Sequence, residues 1–442
     1  MKIQLSDHFS YNKLLRFTFP SVVMMIFTSV YSVVDGLFIS NYVGVTPFAA
    51  VNLIIPFTMI LGCFGFMLGT GGCALVSVKL GEQKSDQANS IFSMLTYIGI
   101  ISGILLALLG IIFIEPIAIL MGADKNMLPY CVVYGRILLA ATPAFILQTM
   151  LQSFFVAAEK PHLGLIITVL AGLTNIIFDA LLVAFFNYGV VGAAIATSLS
   201  QCVGGFIPLI YFSVKNSSLL KLGKTSFDGK ALFQSCTNGL SELVTNISMS
   251  LVSMLYNLQL MKLSGENGVA AYGAVMYVAF IFVAIFIGYS IGSSPIVSYH
   301  YGAGNYDELK NLFKKSLTVV TVSSVCIAFA AFILSTPLAW LFMGKESELT
   351  EMTVTAFRYY SLSVLFSGFS IFGSAFFTAL NNGIVSATIS FLRTLLFQVI
   401  TVLVLPIFFG LDGIWYSLFI AEILAMFVTF YFFITKKKIY NY

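Results

Sequence analysis

Four acidic side chains lie inside long apolar stretches of this 442-residue chain and are the groups best placed to do chemistry: Asp35, Asp179, Glu242 and Glu422. Burying an ionisable group in an apolar segment of membrane-spanning length is costly. Each acid is therefore a functional candidate by default, and its depth and neighbours decide what it can do.

Two of the acids are expected at one depth, in the company of two further oxygen-bearing side chains. Counted from the outer ends of their segments at 1.5 Å per residue, Asp35, Asp179 and Thr197 lie about 7–11 Å below the outer surface. Asn175 precedes Asp179 by four residues, so both lie on one helical face. Oxygen ligands suit a hard cation such as Na⁺, and two carboxylates in one low-dielectric site can equally carry a proton. We therefore predict a cation-coupling site, the alternative being a buried polar network that pins the helices together.

Five further positions within the apolar segments also call for an interpretation. Glu242 and Arg393 each lie within about ten residues of the cytoplasmic ends of their segments, which suggests a static or gating pair. Pro20 lies fifteen residues before the first acid on the same predicted helix. Because proline removes a helical hydrogen bond, bending there could be coupled to the state of that acid, a fixed kink being the alternative. Glu422 and Arg136 have no assigned partner.

The elements that position these groups are membrane helices. The chain is 59% hydrophobic and only 9% charged, with a mean hydropathy of +0.97, whereas soluble domains carry about 25% charged residues. About twenty apolar residues span a bilayer. Twelve such runs predict an all-α integral membrane protein: 14–39, 48–78, 91–114, 130–156, 163–186, 190–212, 232–261, 269–299, 316–336, 354–379, 385–408 and 412–434.

The distribution of Lys and Arg predicts the orientation in the membrane. An even number of segments puts both termini on one side. Sixteen basic residues, Lys2 among them, lie on one set of loops and helix ends, against four, including Lys345, on the other set. Since cytoplasmic loops carry the excess of basic residues, both termini are expected in the cytoplasm and the protein in the cell membrane.

An internal repeat divides the chain. A shift of 221 residues superposes Ala49-Ala50 on Ala270-Ala271, Gly71, Ser77 and Gly81 on Gly292, Ser298 and Gly302, and Gly189 and Gly192 on Gly410 and Gly413. This pattern predicts two pseudo-symmetric six-helix bundles in parallel orientation, a common transporter plan. The N-lobe would span 1–212, a cytoplasmic linker 213–231 and the C-lobe 232–442.

The repeat also predicts an asymmetry between the lobes. Under the same shift, Asp35, Asp179 and Thr197 fall on Tyr256, Ile400 and Leu418. The second half therefore lacks the oxygen-rich cluster. A coupling site needs to exist only once, whereas a purely structural network would be expected in both halves.

Several classes of chemistry find no support in the sequence. It contains no GxxxxGK[ST] loop for nucleotide phosphates and no HExxH metal motif. His8, His162 and His300 are far apart, and the six cysteines show no ligand-like spacing. We therefore expect no enzyme activity, no cofactor and no metal beyond Na⁺ at the acidic cluster, and an ion or substrate gradient as the energy source.

In combination these residues resemble the multidrug and toxic compound extrusion (MATE) transporter family, and its DinF-like branch most closely. The resemblance covers nearly the whole chain. Its motifs, in order, are PSVVMMIFTSVYSVVDGLFIS with Pro20 and Asp35, GTGGCALVSVKLGEQK at the end of segment two, Asn175 four residues before Asp179, the GxxGAAxAT pattern from Gly189 to Thr197, and GSSPIVSYHYGAGN at the end of segment eight.

The resemblance implies a specific function. Asp35, Asn175, Asp179 and Thr197 would form the N-lobe cation site of an antiporter, which exports amphipathic, often cationic compounds in exchange for H⁺ or Na⁺ by alternating access. We expect a monomer, because a pair of bundles in one chain can work alone. Its partners would be such small molecules and membrane lipid, with no nucleic acid. Another branch places acids in helices seven and ten, but segment ten here has none, so no C-lobe ion site is assigned. The alternatives are a lipid-linked oligosaccharide flippase, or a channel or membrane structural protein.

Overall fold

The computed structural model describes residues 3–344 and 348–442, and the charges of Lys2 and Lys345 used above lie outside these residues. The described chain is helical and contains no strand. The first half comprises α1 Tyr11–Tyr42, α2 Val45–Gly81, α3 Ser85–Leu120, α4 Leu128–Ala140, α5 Thr142–Ala157, α6 Pro161–Phe178 with a π-helical continuation Asp179–Phe185, and α7 Gly189–Ser213. The second half comprises α8 Gly229–Gly302, α9 Tyr306–Ile333, α10 Ser335–Met343, α11 Glu348–Ala379, α12 Gly383–Phe391 with a π-helical continuation Leu392–Leu396, and α13 Phe397–Tyr440.

These elements correspond to the twelve predicted segments. Helices α4 and α5 meet at an angle of 53° and make up one segment. Helices α9 and α10 together occupy the position equivalent to α3 and make up another. The two longest helices, α8 and α13, each contain a glycine with non-helical backbone, Gly265 and Gly410, which divides them into two segments. Apolar side chains such as Leu120, Ile384 and Ile407 are more than three-quarters exposed, as expected for side chains that face lipid. The all-α fold with twelve membrane helices is confirmed.

The turns between segments repeat in the two halves. Residues with positive φ occupy equivalent turns 221 or 222 positions apart: Gly44 and Gly265, Gln83 and Gly304, Gly122 and Gly344, Glu159 and Asn381, Gly189 and Gly410. Positive φ is readily adopted by glycine and is uncommon for other residues. Its recurrence at matched positions shows that both halves follow one chain path, so the two pseudo-symmetric bundles are confirmed.

The two bundles meet through close backbone contacts that are also related by the repeat. Among the positions where a Cβ atom would collide with the other half are Gly71 against Ser235 and Gly239, Gly292 against Thr18, Gly81 against Tyr299, and Gly302 against Val78. Each contact has its counterpart 221 residues away, as a two-fold axis between the halves requires. All of them lie near helix ends that are predicted to be cytoplasmic.

The N-terminal segment also joins the two halves at these ends. Leu5 and Phe9 are fully buried. The backbone N–H of Leu5 donates to Glu159 Oε1 at 2.8 Å, and that of Phe9 donates to Glu308 Oε1 at 2.9 Å. Since Glu159 follows α5 and Glu308 begins α9, this short segment contacts both bundles.

The connection between the bundles, residues 214–228, packs against α3. Gly223 N–H donates to Ser93 Oγ at 3.0 Å, and Lys221 N–H donates to Asn89 Oδ1 at 2.7 Å. Leu220 is fully buried. The second bundle therefore begins, at Gly229, from a segment anchored to the first.

Candidate functional site

The four predicted site residues come together inside the N-lobe. Asp35 lies on α1, Asn175 on α6, Asp179 at the start of its π-helical continuation and Thr197 on α7. Asp179 and Asn175 are buried, with 0% and 2% of their surfaces exposed. Asn175 Nδ2 lies 3.4 Å from Thr197 Oγ1, and the Asp35 carboxyl group is within hydrogen-bonding reach of the other three side chains. Their joint role as a cation site remains a prediction.

Several oxygen atoms of this cluster lack a donor. Asp35 Oδ1, Asn175 Oδ1 and both carboxylate oxygens of Asp179 are buried without a hydrogen-bond partner. Ionised carboxylates only accept hydrogen bonds, so two of them can bond to each other only when one is protonated. Buried charges are normally paired or coordinated. The arrangement thus fits an exchangeable cation, either a proton shared by the two acids or an ion held by the four oxygens.

Two tyrosines beside the acids were not predicted as part of the site. Tyr134 on α4 is fully buried and close enough to interact electrostatically with both Asp35 and Asp179. Tyr31 precedes Asp35 by one helical turn, and its phenol group reaches Gln148 on α5. The spacing of four residues between Tyr31 and Asp35 was a usable sequence signal, whereas Tyr134 has no such signal.

The predicted pairing of Glu242 with Arg393 is wrong in this structure. Arg393 instead pairs with Glu422, with Nε 2.9 Å and 3.1 Å from the two carboxylate oxygens. Segments eleven and twelve, which carry Arg393 and Glu422, lie side by side because the chain reverses at Gly410. Glu242 instead lies close to Cys63 of the N-lobe.

The Arg393–Glu422 pair is the centre of a satisfied polar group in the C-lobe. Both side chains are largely buried, with 15% and 5% of their surfaces exposed. The hydroxyl group of Tyr256 donates to Gln398 Oε1 at 2.8 Å in the same region, and Tyr256 is close enough to Glu422 to interact electrostatically. Glu422, which had no assigned partner, therefore has one.

Pro20 and Arg136 are the remaining two positions singled out in the sequence. Pro20 is buried in α1, which continues as one helix from Tyr11 to Tyr42, so bending at Pro20 remains a prediction. Arg136 on α4 is exposed and lines an open groove of about 460 Å³ with Ser198 and Cys202. No acidic partner is recorded for it among the described residues.

Comparison with known proteins decides the family. The model of the MatE family matches residues 20–181 and, a second time, residues 243–404. The chain belongs to the MatE family. A double match, once in each half, also agrees with the internal repeat. Members of this family are membrane transporters rather than enzymes, and the sequence-based assignment to the MATE family is confirmed. The DinF-like branch remains a prediction.

Individual relatives support the same assignment over almost the whole length. The multidrug export protein MepA of Staphylococcus haemolyticus is 25% identical over 426 residues, which cover 95% of this chain and 93% of MepA. A MATE crystal structure in a straight conformation has a TM-score of 0.93 at 21% identity and covers 98% of each chain. A multidrug resistance MATE transporter in an outward-facing conformation has a TM-score of 0.92 at 21% identity, with 98% and 97% covered.

Proposed function

We propose that this protein is a secondary active efflux transporter of the cell membrane, which exchanges amphipathic, often cationic compounds for H⁺ or Na⁺ by alternating access. The observation that carries the proposal is the pair of facing acids, Asp35 and Asp179, whose buried oxygens lack donors. When a cation binds, the oxygens of this acid pair gain a partner. When the cation leaves, they are again without one. It can therefore link the ion gradient to a change of conformation.

The contacts between the two bundles support alternating access. The glycine contacts of Gly71 and Gly292 close the interface near the ends that carry the basic residues. We infer that the cytoplasmic side is closed and that the bundles separate towards the outside, with both termini in the cytoplasm. One of the similar structures is described as outward-facing, which favours the same reading.

The nature of the substrate is inferred from relatives and from charge. MepA is named a multidrug export protein, and we extend that role to this chain. The lipid-linked oligosaccharide flippase was the main alternative, and it would need a cationic cavity for pyrophosphate. Arg393 is neutralised by Glu422. Arg136 is then the one remaining arginine of the two that were considered for a pyrophosphate site, which disfavours that alternative.

The proposal is tested by transport in reconstituted vesicles. A pH gradient and a Na⁺ gradient are imposed separately, and transport of ethidium is followed by fluorescence. We expect Asp35→Asn and Asp179→Asn to abolish gradient-driven transport, because an amide cannot take up the proton or supply the charge for Na⁺. Asp412→Asn is the matched control, since Asp412 is exposed in the second half, and it should transport like the wild type.

Two results would contradict the proposal. Unchanged gradient-driven transport in Asp35→Asn would remove the coupling role from the acid pair. Single-channel conductance of the wild type in a planar bilayer would instead show a channel.

A further inference from the structure

We propose that the N-lobe contains a water-bridged polar pathway, which carries a proton between the Asp35–Asp179 pair and the cytoplasmic ends of α5 and α6. The inference rests on the coupling role proposed above. It deepens that role by naming the coupling ion as H⁺.

Three helices of the N-lobe carry polar or small residues in stripes that descend from the acid pair. The stripes are Thr197, Gln201, Gly204 and Pro208 on α7, Asp179, Asn175, Thr168 and Gly164 on α6, and Gln148 and Gln152 on α5. Spacings of three, four and seven residues place each set on one helical face. Thr168 lies two turns, or about 10 Å, from Asn175 towards the cytoplasmic end.

A small cavity lies where the three stripes meet. Its volume is about 10 Å³, and Gln148, Gln152, Thr168 and Gly204 are among the residues that line it. Gln152 Nε2 donates to Thr168 Oγ1 at 3.1 Å. A cavity of about this size holds a single water molecule when two to four polar groups are available to it. The cavity therefore fits one ordered water molecule between α5, α6 and α7.

Two side chains link this cavity to the acid pair. Tyr31, one turn below Asp35 on α1, reaches Gln148 at the edge of the cavity. Gln201 lies one turn below Thr197, and its Oε1 atom is buried without a hydrogen-bond partner. Gln201 Oε1 is therefore available to accept a hydrogen bond from a bridging water molecule between Thr197 and the cavity.

The proton moves without any change in the number of atoms along the path. The O–H bond of the protonated acid breaks, its proton joins the phenol oxygen of Tyr31, and that oxygen passes its own proton to a bridging water molecule, which passes on a proton in turn. A proton leaves at the cytoplasmic end and a carboxylate remains. Gln148 and Gln152 orient the water and do not themselves carry the charge. Na⁺ with its oxygen ligands does not fit a cavity of about 10 Å³.

Few titratable groups accompany the pathway. Those facing Asp35 are Tyr31 of its own helix, Tyr134 of α4 and Asp179. The cytoplasmic ends of α5 and α6 carry Glu159, Lys160 and His162. Between these two sets the stripes contain only neutral side chains, so loss of the water cannot be compensated by another acid or base.

Two substitutions remove the water from opposite sides. Gln152→Leu replaces the amide with an apolar side chain, and Gly204→Ala narrows the cavity because the new Cβ would meet Gln148. We expect either one to slow pH-driven ethidium transport in vesicles by roughly tenfold or more. Proton movement reported by an entrapped pH-sensitive dye should slow equally, and the affinity for ethidium should not change.

Controls separate the pathway from general damage to the fold. Thr149→Val changes a neighbouring polar residue whose hydroxyl bonds to the backbone of its own helix, and it should transport at the wild-type rate. Gln152→Ser leaves room for a second water and should retain most of the rate. Should Gln152→Leu fail to fold, Thr168→Val tests the same water from α6.

The outcomes distinguish this inference from the proposed function. Wild-type rates in Gln152→Leu and Gly204→Ala, with transport lost in Asp35→Asn, would overturn the pathway and leave the coupling site standing. Wild-type rates in Asp35→Asn would overturn the coupling site itself. A Na⁺ gradient that drives transport as fast as a pH gradient in the wild type would overturn the assignment of H⁺.

Discussion

The two lobes share one chain path but differ in the charged groups buried at their centres. In the N-lobe, Asp35 and Asp179 face each other, and their buried oxygens lack donors. In the C-lobe, the Nε–H group of Arg393 donates one bifurcated hydrogen bond to the two carboxylate oxygens of Glu422. Tyr256, which occupies the position equivalent to Asp35, donates to Gln398. A π-helical stretch lies near each centre, at 179–185 and 392–396, but the two are offset within the repeat, because residue 179 corresponds to residue 400.

This difference indicates how a duplicated scaffold can divide its tasks. The guanidinium group of Arg393 is always charged, so the C-lobe holds a permanent cation opposite its carboxylate. Among the described residues, no arginine or lysine pairs with Asp35 or Asp179, so a cation from outside is needed to satisfy this acid pair. On this view the C-lobe is the rigid partner, and the N-lobe is the one whose state follows the ion gradient.

The largest expected effect comes from breaking the C-lobe pair. Glu422→Gln leaves the charge of Arg393 buried without a counter-ion, and removing one partner of a buried pair costs about 3–5 kcal/mol. We expect the free energy of unfolding in detergent, measured by titration with SDS, to fall by about 3 kcal/mol. Replacing both partners, as Arg393→Met with Glu422→Leu, should recover most of this loss and retain ethidium transport. Lost transport in a stable double variant would show that the pair itself takes part in coupling.

The same change from carboxyl to amide should have the opposite sign in the N-lobe. Asp179→Asn introduces a donor where the acid pair has none, and a buried unsatisfied group costs about 1–3 kcal/mol. In the absence of Na⁺ at neutral pH, we expect the free energy of unfolding to rise by about 1 kcal/mol, while transport is lost. A destabilisation as large as that of Glu422→Gln would mean that the N-lobe acids are structural.

Much of the fold could be predicted from the sequence because the bilayer imposes a simple rule on segment length. Apolar runs of about twenty residues marked all twelve segments, and the recurrence of glycines such as Gly189 and Gly410 revealed the two halves. The depths of Asp35 and Asp179, counted along straight helices, were sufficient to bring them together. The breaks within α8 and α13, at Gly265 and Gly410, fall in the predicted gaps 262–268 and 409–411 between apolar runs.

The partner of Arg393 could not be predicted in the same way. The depth of Arg393 in the membrane limits its possible neighbours, but the rotation of each helix about its own axis decides which of them it contacts. By depth alone, Arg393 could pair with either Glu242 or Glu422. Neutral residues such as Tyr134 and Gln152 were missed for another reason. The chain is rich in tyrosine and small polar residues. Burying a neutral side chain costs too little free energy to mark that residue as functional.

The smallest expected effect on transport is that of a substitution at Tyr256, the position equivalent to Asp35. Tyr256→Phe removes one buried hydrogen bond and leaves Gln398 Oε1 without its donor, a change that costs about 1–2 kcal/mol. We expect the free energy of unfolding to fall by about that amount and gradient-driven ethidium transport to continue at the wild-type rate. Asp35→Asn should do the reverse, with transport lost and stability kept. If Tyr256→Phe abolished transport in a stably folded protein, the C-lobe position would share the coupling role, and the division of tasks between the lobes would be wrong.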